Sequence, residues 1–234
     1  MDQPSRLPSL EALAARIDHT LLKPEATVAD IELLCAEAVG FGFKTVCVNP
    51  WHLPLAARLL RGGTSLAITV CGFPLGASQT LIKVREAALA VEQGAAEVDM
   101  VLNVGALKSG ELTLARQDIF EVVQACGPAP VKVILETCLL TDAEKRTACQ
   151  LAVDAGAAFV KTSTGFSHNG ATEADVRLLR ELVGPHVGVK ASGGLRCLDD
   201  ALRIISAGAD RLGASASVRI LTELKAQLHL GGGA

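Results

Sequence analysis

The segment "AGAAFVKTSTGF" (155–166) carries a lysine, Lys161, within an apolar run and follows it at once with three hydroxyl residues and Gly165. An ordinary lysine amine, with a pKa near ~10.4, is protonated at neutral pH and cannot attack a carbonyl. Desolvation and a second cation nearby both disfavour the ammonium form and leave a nucleophilic amine. Lys190 in "VGVKASGG" is the candidate neighbour and Asp99 in "EVDMV" the candidate carboxylate. Such a set suits imine chemistry. Lys161 condenses with a carbonyl, Lys190 keeps it uncharged, and Asp99 moves protons, directly or through water, as carbinolamine becomes imine and a C–C bond breaks or forms. The bland alternative is a strand-end lysine whose head reaches solvent, or a structural Lys–Asp pair. Two lysines and an aspartate at one depth favour a site, because unpaired buried charges cost several kcal/mol.

Two glycine-rich stretches are candidate anion cradles: "KASGG" with Gly193 and Gly194, and "LGASAS" with Gly213 and Ser215. In barrels the loops after strands seven and eight converge free backbone N–H groups on phosphate. The competing reading makes these glycines turns and Ser215 or Ser217 a helix cap.

These residues need elements to hold them. Amphipathic segments of about 11–16 residues alternate with short β-rich runs, the pattern of parallel strands joined by helices. Eight strands are expected at 16–21, 44–49, 66–72, 97–103, 131–137, 159–164, 187–192 and 210–214. Helices are expected near 28–40, 51–61, 78–93, 112–126, 141–155, 171–184, 198–207 and 216–228, with a short extra one near 8–15. On this reading Thr162, Ser163 and Thr164 continue the sixth strand and Gly165 permits a tight exit. The junctions "EQGAAEVDM", "DAGAAFVKT" and "SAGADRLGA" are alike, each ending a helix at Gly-Ala. Glycine suits a helix C-terminus because it adopts the left-handed conformation without steric cost. Five positions beyond the junction glycines 94, 156 and 208 lie Asp99, Lys161 and Gly213, so the three share a depth and an inward direction. The repetition favours a closed (β/α)8 barrel over an open doubly wound sheet.

The chain has 234 residues, half of them hydrophobic, and a net charge of −3. One domain over 1–234 is expected, with 1–7 and 230–234 flexible. No apolar stretch reaches the ~18 residues of a membrane span. The start, "MDQPSRLPSL", lacks a basic region followed by an apolar block, so a cytoplasmic location is expected. Six Phe, one Trp and no Tyr, without a basic field, argue against nucleic acid. The seven cysteines form no C-x-x-C pair and the five histidines no ligand spacing, so reduced thiols and no metal are expected. Cys47 should face inward on the second strand and pack. His19 falls on the strand face opposite Asp18, and His168 in a loop. Trp51 is expected to open a helix and cover one end of the core.

The segments "IDHTLLKP" (17–24), "VCVNP" (46–50), "GFPLG" (72–76), "EVDMVLNVG" (97–105), "VKVILETC" (131–138), "FVKTSTGF" (159–166), "VKASGG" (189–194) and "ADRLGAS" (209–215) closely resemble the deoxyribose-phosphate aldolase family. The resemblance implies a TIM barrel and a class I aldolase, a lyase that needs no cofactor and no metal. Its reaction would be reversible cleavage of 2-deoxy-D-ribose 5-phosphate to D-glyceraldehyde 3-phosphate and acetaldehyde, in deoxyribonucleoside catabolism. It implies Lys161 as the Schiff-base lysine, Lys190 as the residue that perturbs it and joins proton transfer, and Asp99 as the acid/base. Asp18 would lie near substrate hydroxyls, and Gly165, Gly193, Gly194, Gly213 and Ser215 would contact phosphate. It also implies a homo-oligomer, dimer or tetramer. The chain departs from the family pattern in three places. Ala216 stands where a second serine is frequent, with Ser217 the candidate substitute; Phe166 stands where some members have lysine; and the Tyr-free tail excludes a C-terminal tyrosine in proton transfer. Two other readings compete: a Schiff-base aldolase for a longer ketose, and a non-catalytic sugar-phosphate binder.

Overall fold

A computed structural model describes residues 7–231. The short helix α1 (Leu10–Ala14), capped by the Ser9 hydroxyl, leads into β1 (Ile17–Leu21). Then follow α2 (Val28–Phe41), β2 (Thr45–Val48), α3 (Leu53–Leu59), β3 (Leu66–Cys71), α4 (Thr80–Glu92) and β4 (Val98–Val101). The second half comprises α5 (Val104–Lys108), α6 (Leu112–Cys126), β5 (Val131–Ile134), α7 (Asp142–Asp154), β6 (Phe159–Lys161), α8 (Glu173–Val183), β7 (Gly188–Ser192), α9 (Leu198–Ser206), β8 (Arg211–Ala214) and α10 (Ser217–Gly231). All eight strands pair in parallel, and β1 also pairs with β8, so the sheet closes into a barrel.

Local chemistry sets the boundaries. Thr27 with Asp30 and Thr141 with Glu144 form reciprocal capping boxes at the starts of α2 and α7. The junction glycines 94, 156 and 208 have φ of 99°, 84° and 115°, the left-handed region that lets a helix turn into the next strand. Gly127, before β5, has φ 56°. The core is the shell between strands and helices, built from residues such as Val46, Val98, Val133, Val160, Val189 and Leu212.

Several expectations need correction. Strand β6 ends at Lys161, so Thr162, Ser163 and Thr164 lie beyond it as irregular backbone. The helix α5 replaces part of an expected loop, and 3-10 turns at Pro50–His52 and Thr137–Leu139 take the place of an expected helix start and strand end. Trp51 covers no core: it is 86% exposed, because the turn that opens with Pro50 directs it outward while His52 and Leu53 pack inward. Of the expected flexible ends, 1–6 and 232–234 lie outside the described residues. Leu7 packs against the core and Leu230 continues α10.

The register fixes what fills the barrel. Following the pairings around the sheet, with the offset that strand tilt imposes, inward residues from alternate strands fall into layers of four. One layer holds Asp18, Ile68, Lys132 and Lys190. The next, toward the strand C-termini, holds Cys47, Asp99, Lys161 and Gly213. Above it lie Thr20, Val70, Ile134 and Ser192. Glu97 and Arg211, two residues before Asp99 and Gly213, occupy the layer at the bottom. The shared depth expected for Asp99, Lys161 and Gly213 is thus present.

Candidate active site

The centre of the barrel is ionic. Asp99 Oδ1 meets Lys132 Nζ at 2.8 Å, and Lys132 Nζ meets Glu97 Oε2 at 2.5 Å. Glu97 Oε1 lies 3.3 Å from Arg211 Nη1, and Arg211 donates from Nε and Nη2 to Asp18 Oδ1. Lys190 Nζ, 2.6 Å from Asp18 Oδ2 and 2.6 Å from Asp99 Oδ2, returns the circuit to its start. These six groups alternate in sign, three carboxylates with three cations, and are buried. Lys161 stands outside the ring, with its Nζ 2.8 Å from Asp99 Oδ2.

This arrangement singles out one amine. The ring is neutral with its three cations charged, so a protonated Lys161 would add an unbalanced positive charge to a buried site. Burial pushes Lys161 below the ordinary lysine range; Asp99 opposes this and the neighbouring Lys190 ammonium reinforces it. Burial also acts against charge on Lys190, but the Asp18 and Asp99 carboxylates outweigh it and hold this lysine well above the ordinary range. Asp99 is buried too, yet Lys132, Lys161 and Lys190 hold its carboxyl well below the usual aspartate range. Two lysines on adjacent paired positions therefore carry opposite shifts. An uncharged Lys161 amine still has N–H groups with which to donate to Asp99.

Above this layer opens a cleft of about 380 Å³. Lys161 reaches its floor, and Gly165, Gly193, Gly194, Gly213 and Ser215 lie in its wall. Gly193 requires glycine: its φ is 85°, and its backbone packs so closely on Gly170 that a Cβ at 170 would collide with it. The residues after β6 give up regular strand structure and gain specific partners. Thr162 Oγ1 donates to the Ser192 carbonyl at 3.3 Å and accepts from the Ser192 N–H at 3.1 Å. Thr164 donates its hydroxyl to Glu136, whose Oε1 also accepts the Thr164 N–H at 3.2 Å. Glu136 has φ 56°, a conformation rare for a side-chain-bearing residue and enriched at functional sites. Phe166 lines the cleft and meets Phe73 edge-on, with ring centroids 5.2 Å apart.

Asp18 is not in the cleft wall: it sits one layer below Lys161, fully buried, its carboxylate taken by Thr45, Lys190 and Arg211. It is a member of the ring. Ser217 does not replace the serine absent at Ala216, because it is buried and donates its hydroxyl to the Ala214 carbonyl at 2.8 Å. Cys47 is buried in the Lys161 layer, packed in a cluster with Leu22, Ile68 and Val70, and burial pushes its thiol up. His19 faces outward to Glu37 at 2.7 Å, and His168 is exposed in the loop after Gly165. Lys132, Glu97, Arg211 and Glu136 were missed. Lys132 carries the same signal as Lys161, a lysine inside an apolar run five positions beyond a junction glycine, Gly127. Glu97 and Arg211 carry the period-two signal of a shared inward face.

A family description, "DeoC/LacD family aldolase", matches residues 12–221. The chain belongs to this family. It is an aldolase, a lyase by reaction class. A deoxyribose-phosphate aldolase of Carboxydothermus hydrogenoformans is 57% identical over 216 residues, covering 91% of this chain and 95% of that protein. One of Rhodospirillum rubrum is 56% identical over 229 residues, covering 97% and 96%. Among solved structures, a tetrameric deoxyribose phosphate aldolase of Aeropyrum pernix superposes with a TM-score of 0.88 at 36% identity, covering 94% of this chain and 93% of that one. Among the described residues no helix is long and apolar enough to cross a membrane.

Proposed function

We propose that this aldolase cleaves 2-deoxy-D-ribose 5-phosphate reversibly through a Schiff base on Lys161, in deoxyribonucleoside catabolism. The observation that carries the reading is the neutral ring with Lys161 as its surplus amine, at the floor of a cleft whose far wall is built from glycines and Ser215. Lys161 Nζ attacks C1 of the open-chain sugar, the former carbonyl oxygen is protonated, and water leaves to give the iminium. A base then takes the proton of the C3 hydroxyl. The C2–C3 bond breaks, its electron pair passes into the enamine, and D-glyceraldehyde 3-phosphate departs. Protonation of the enamine at C2 and hydrolysis release acetaldehyde and restore the amine. Asp99, a carboxylate at rest, is placed to accept protons directly or through water, and Lys190, an ammonium at rest, to supply them. Backbone N–H groups at Gly193 and Gly194, together with Ser215, would hold the phosphate.

The test is borohydride reduction in the presence of acetaldehyde, followed by peptide mass spectrometry. A two-carbon adduct on Lys161 is expected, and an adduct elsewhere, or none, overturns the assignment. Dihydroxyacetone in place of acetaldehyde separates this donor from that of a longer-ketose aldolase. The tetrameric relative supports a homo-oligomer here as well. Sedimentation as a 24.3 kDa species at assay concentration would exclude it.

A further inference from the structure

We propose that Ser192 is the residue through which the cleft recognises the hydroxyl on the carbon next to the phosphate-bearing carbon of the acceptor aldehyde. This rests on the aldolase reading and deepens it.

Ser192 is the last residue of β7, two positions beyond Lys190 and on the same inward face. It therefore stands one layer above Lys161, on the side of the Gly193–Gly194 cradle. Its backbone is held on both sides by Thr162. Ser192 is only 6% exposed and lines the cleft, and its buried hydroxyl has no hydrogen-bond partner among the described residues. The other buried or half-buried hydroxyls of the wall are committed: Thr20 donates to the Asp18 carbonyl at 2.8 Å and Thr164 to Glu136. Space for the free hydroxyl is built in, because a Cβ at Gly213, paired with Ser192 across β7 and β8, would collide with it.

A buried hydroxyl left unpaired is unfavourable and calls for a partner that arrives with the ligand. D-Glyceraldehyde 3-phosphate offers one. With its aldehyde carbon at the Lys161 enamine and its phosphate on the glycine cradle, two carbons remain between the two ends, the carbinol and the phosphate-bearing methylene. That carbinol passes the layer that Ser192 occupies. The serine hydroxyl can accept from it or donate to it, and no proton needs to be transferred.

The experiment compares two acceptors in acetaldehyde addition: D-glyceraldehyde 3-phosphate and 3-phosphonooxypropanal, which lacks the hydroxyl. The ratio of their kcat/KM values is measured for the native chain and for Ser192→Ala. The native chain is expected to prefer the hydroxylated acceptor, and Ser192→Ala to lower that ratio roughly tenfold, the effect of one neutral hydrogen bond. Because the readout is a ratio within one preparation, any loss of folded protein cancels. An unchanged ratio, whether both rates fall together or neither moves, overturns the role of Ser192. The borohydride trap on the native chain is run alongside: if it leaves no adduct on Lys161 the aldolase reading fails, whereas an adduct with an unchanged ratio sinks only the present proposal.

Discussion

Replacing Lys190 by methionine tests the electrostatics of the site. Lys161 and Lys190 contact the same Asp99 oxygen at 2.8 and 2.6 Å. Their nitrogens are thus at most 5.4 Å apart, and at an effective dielectric near ~20 the repulsion between two ammonium groups at that separation is about 3 kcal/mol. Lys190→Met removes that repulsion and leaves Asp99 with one competitor fewer for its charge. Both changes favour the protonated form of Lys161. A repulsion of this size corresponds to a displacement of about two pH units. The assay is the rate of borohydride trapping by acetaldehyde as a function of pH, which follows the uncharged amine. In Lys190→Met the rising limb is expected about two pH units higher than in the native chain, so that trapping at neutral pH slows by up to about a hundredfold and is recovered in alkaline buffer. A limb that stays in place or moves to lower pH would refute the argument that Lys190 acts as a neighbouring charge.

Lys161→Met should abolish trapping and reduce turnover by several orders of magnitude, while the urea midpoint stays level or rises because a buried amine outside the neutral ring is removed. Lys132→Met leaves Glu97 and Asp99 each short of a cation, a loss expected to cost about 3–5 kcal/mol in urea unfolding. Glu136→Gln weakens the hold on Thr164 and should raise the KM for phosphorylated acceptors severalfold more than it lowers kcat, measured by initial rates with glyceraldehyde 3-phosphate. Asp18 and Asp99 both have carboxyls depressed in the folded state. Their contribution to stability is therefore present above the ordinary aspartate value of ~3.9 and is lost progressively as pH falls below it toward the folded values. Among urea midpoints at pH 7, 5, 4 and 3, the largest fall should come over the last interval.

Much of the barrel was legible because its grammar repeats. Each junction glycine marks a helix end, and each apolar run after it can only be a strand buried on both faces. The expected α6 at 112–126 coincides with the observed helix, and the inward alignment of Asp99, Lys161 and Gly213 follows from period-two geometry alone. The ring was not legible, because it depends on closure. Asp18 on β1 finds Arg211 on β8 only when the first and last strands pair. Nothing local to "IDHT" or "ADRLGA" announces that partner. The end of β6 was misjudged for a related reason: Thr162 and Thr164 have the propensity of strand residues, but their hydroxyls bond to Ser192 and Glu136 from other strands and segments. Trp51 departs from its expected place over the core because its direction is set by the turn at Pro50.

The layers inside the barrel divide labour by height. Charges that set the amine lie in the lower tiers, at Asp18, Glu97, Asp99, Lys132, Lys190 and Arg211, while Thr20, Ser192 and Phe166 border the opening above them. Substitutions in that upper border change which aldehyde fits without altering the electrostatic foundation beneath it. A library confined to Thr20, Phe166 and Ser192 is thus the place to search for new acceptor preferences, with the reactive lysine left as it is.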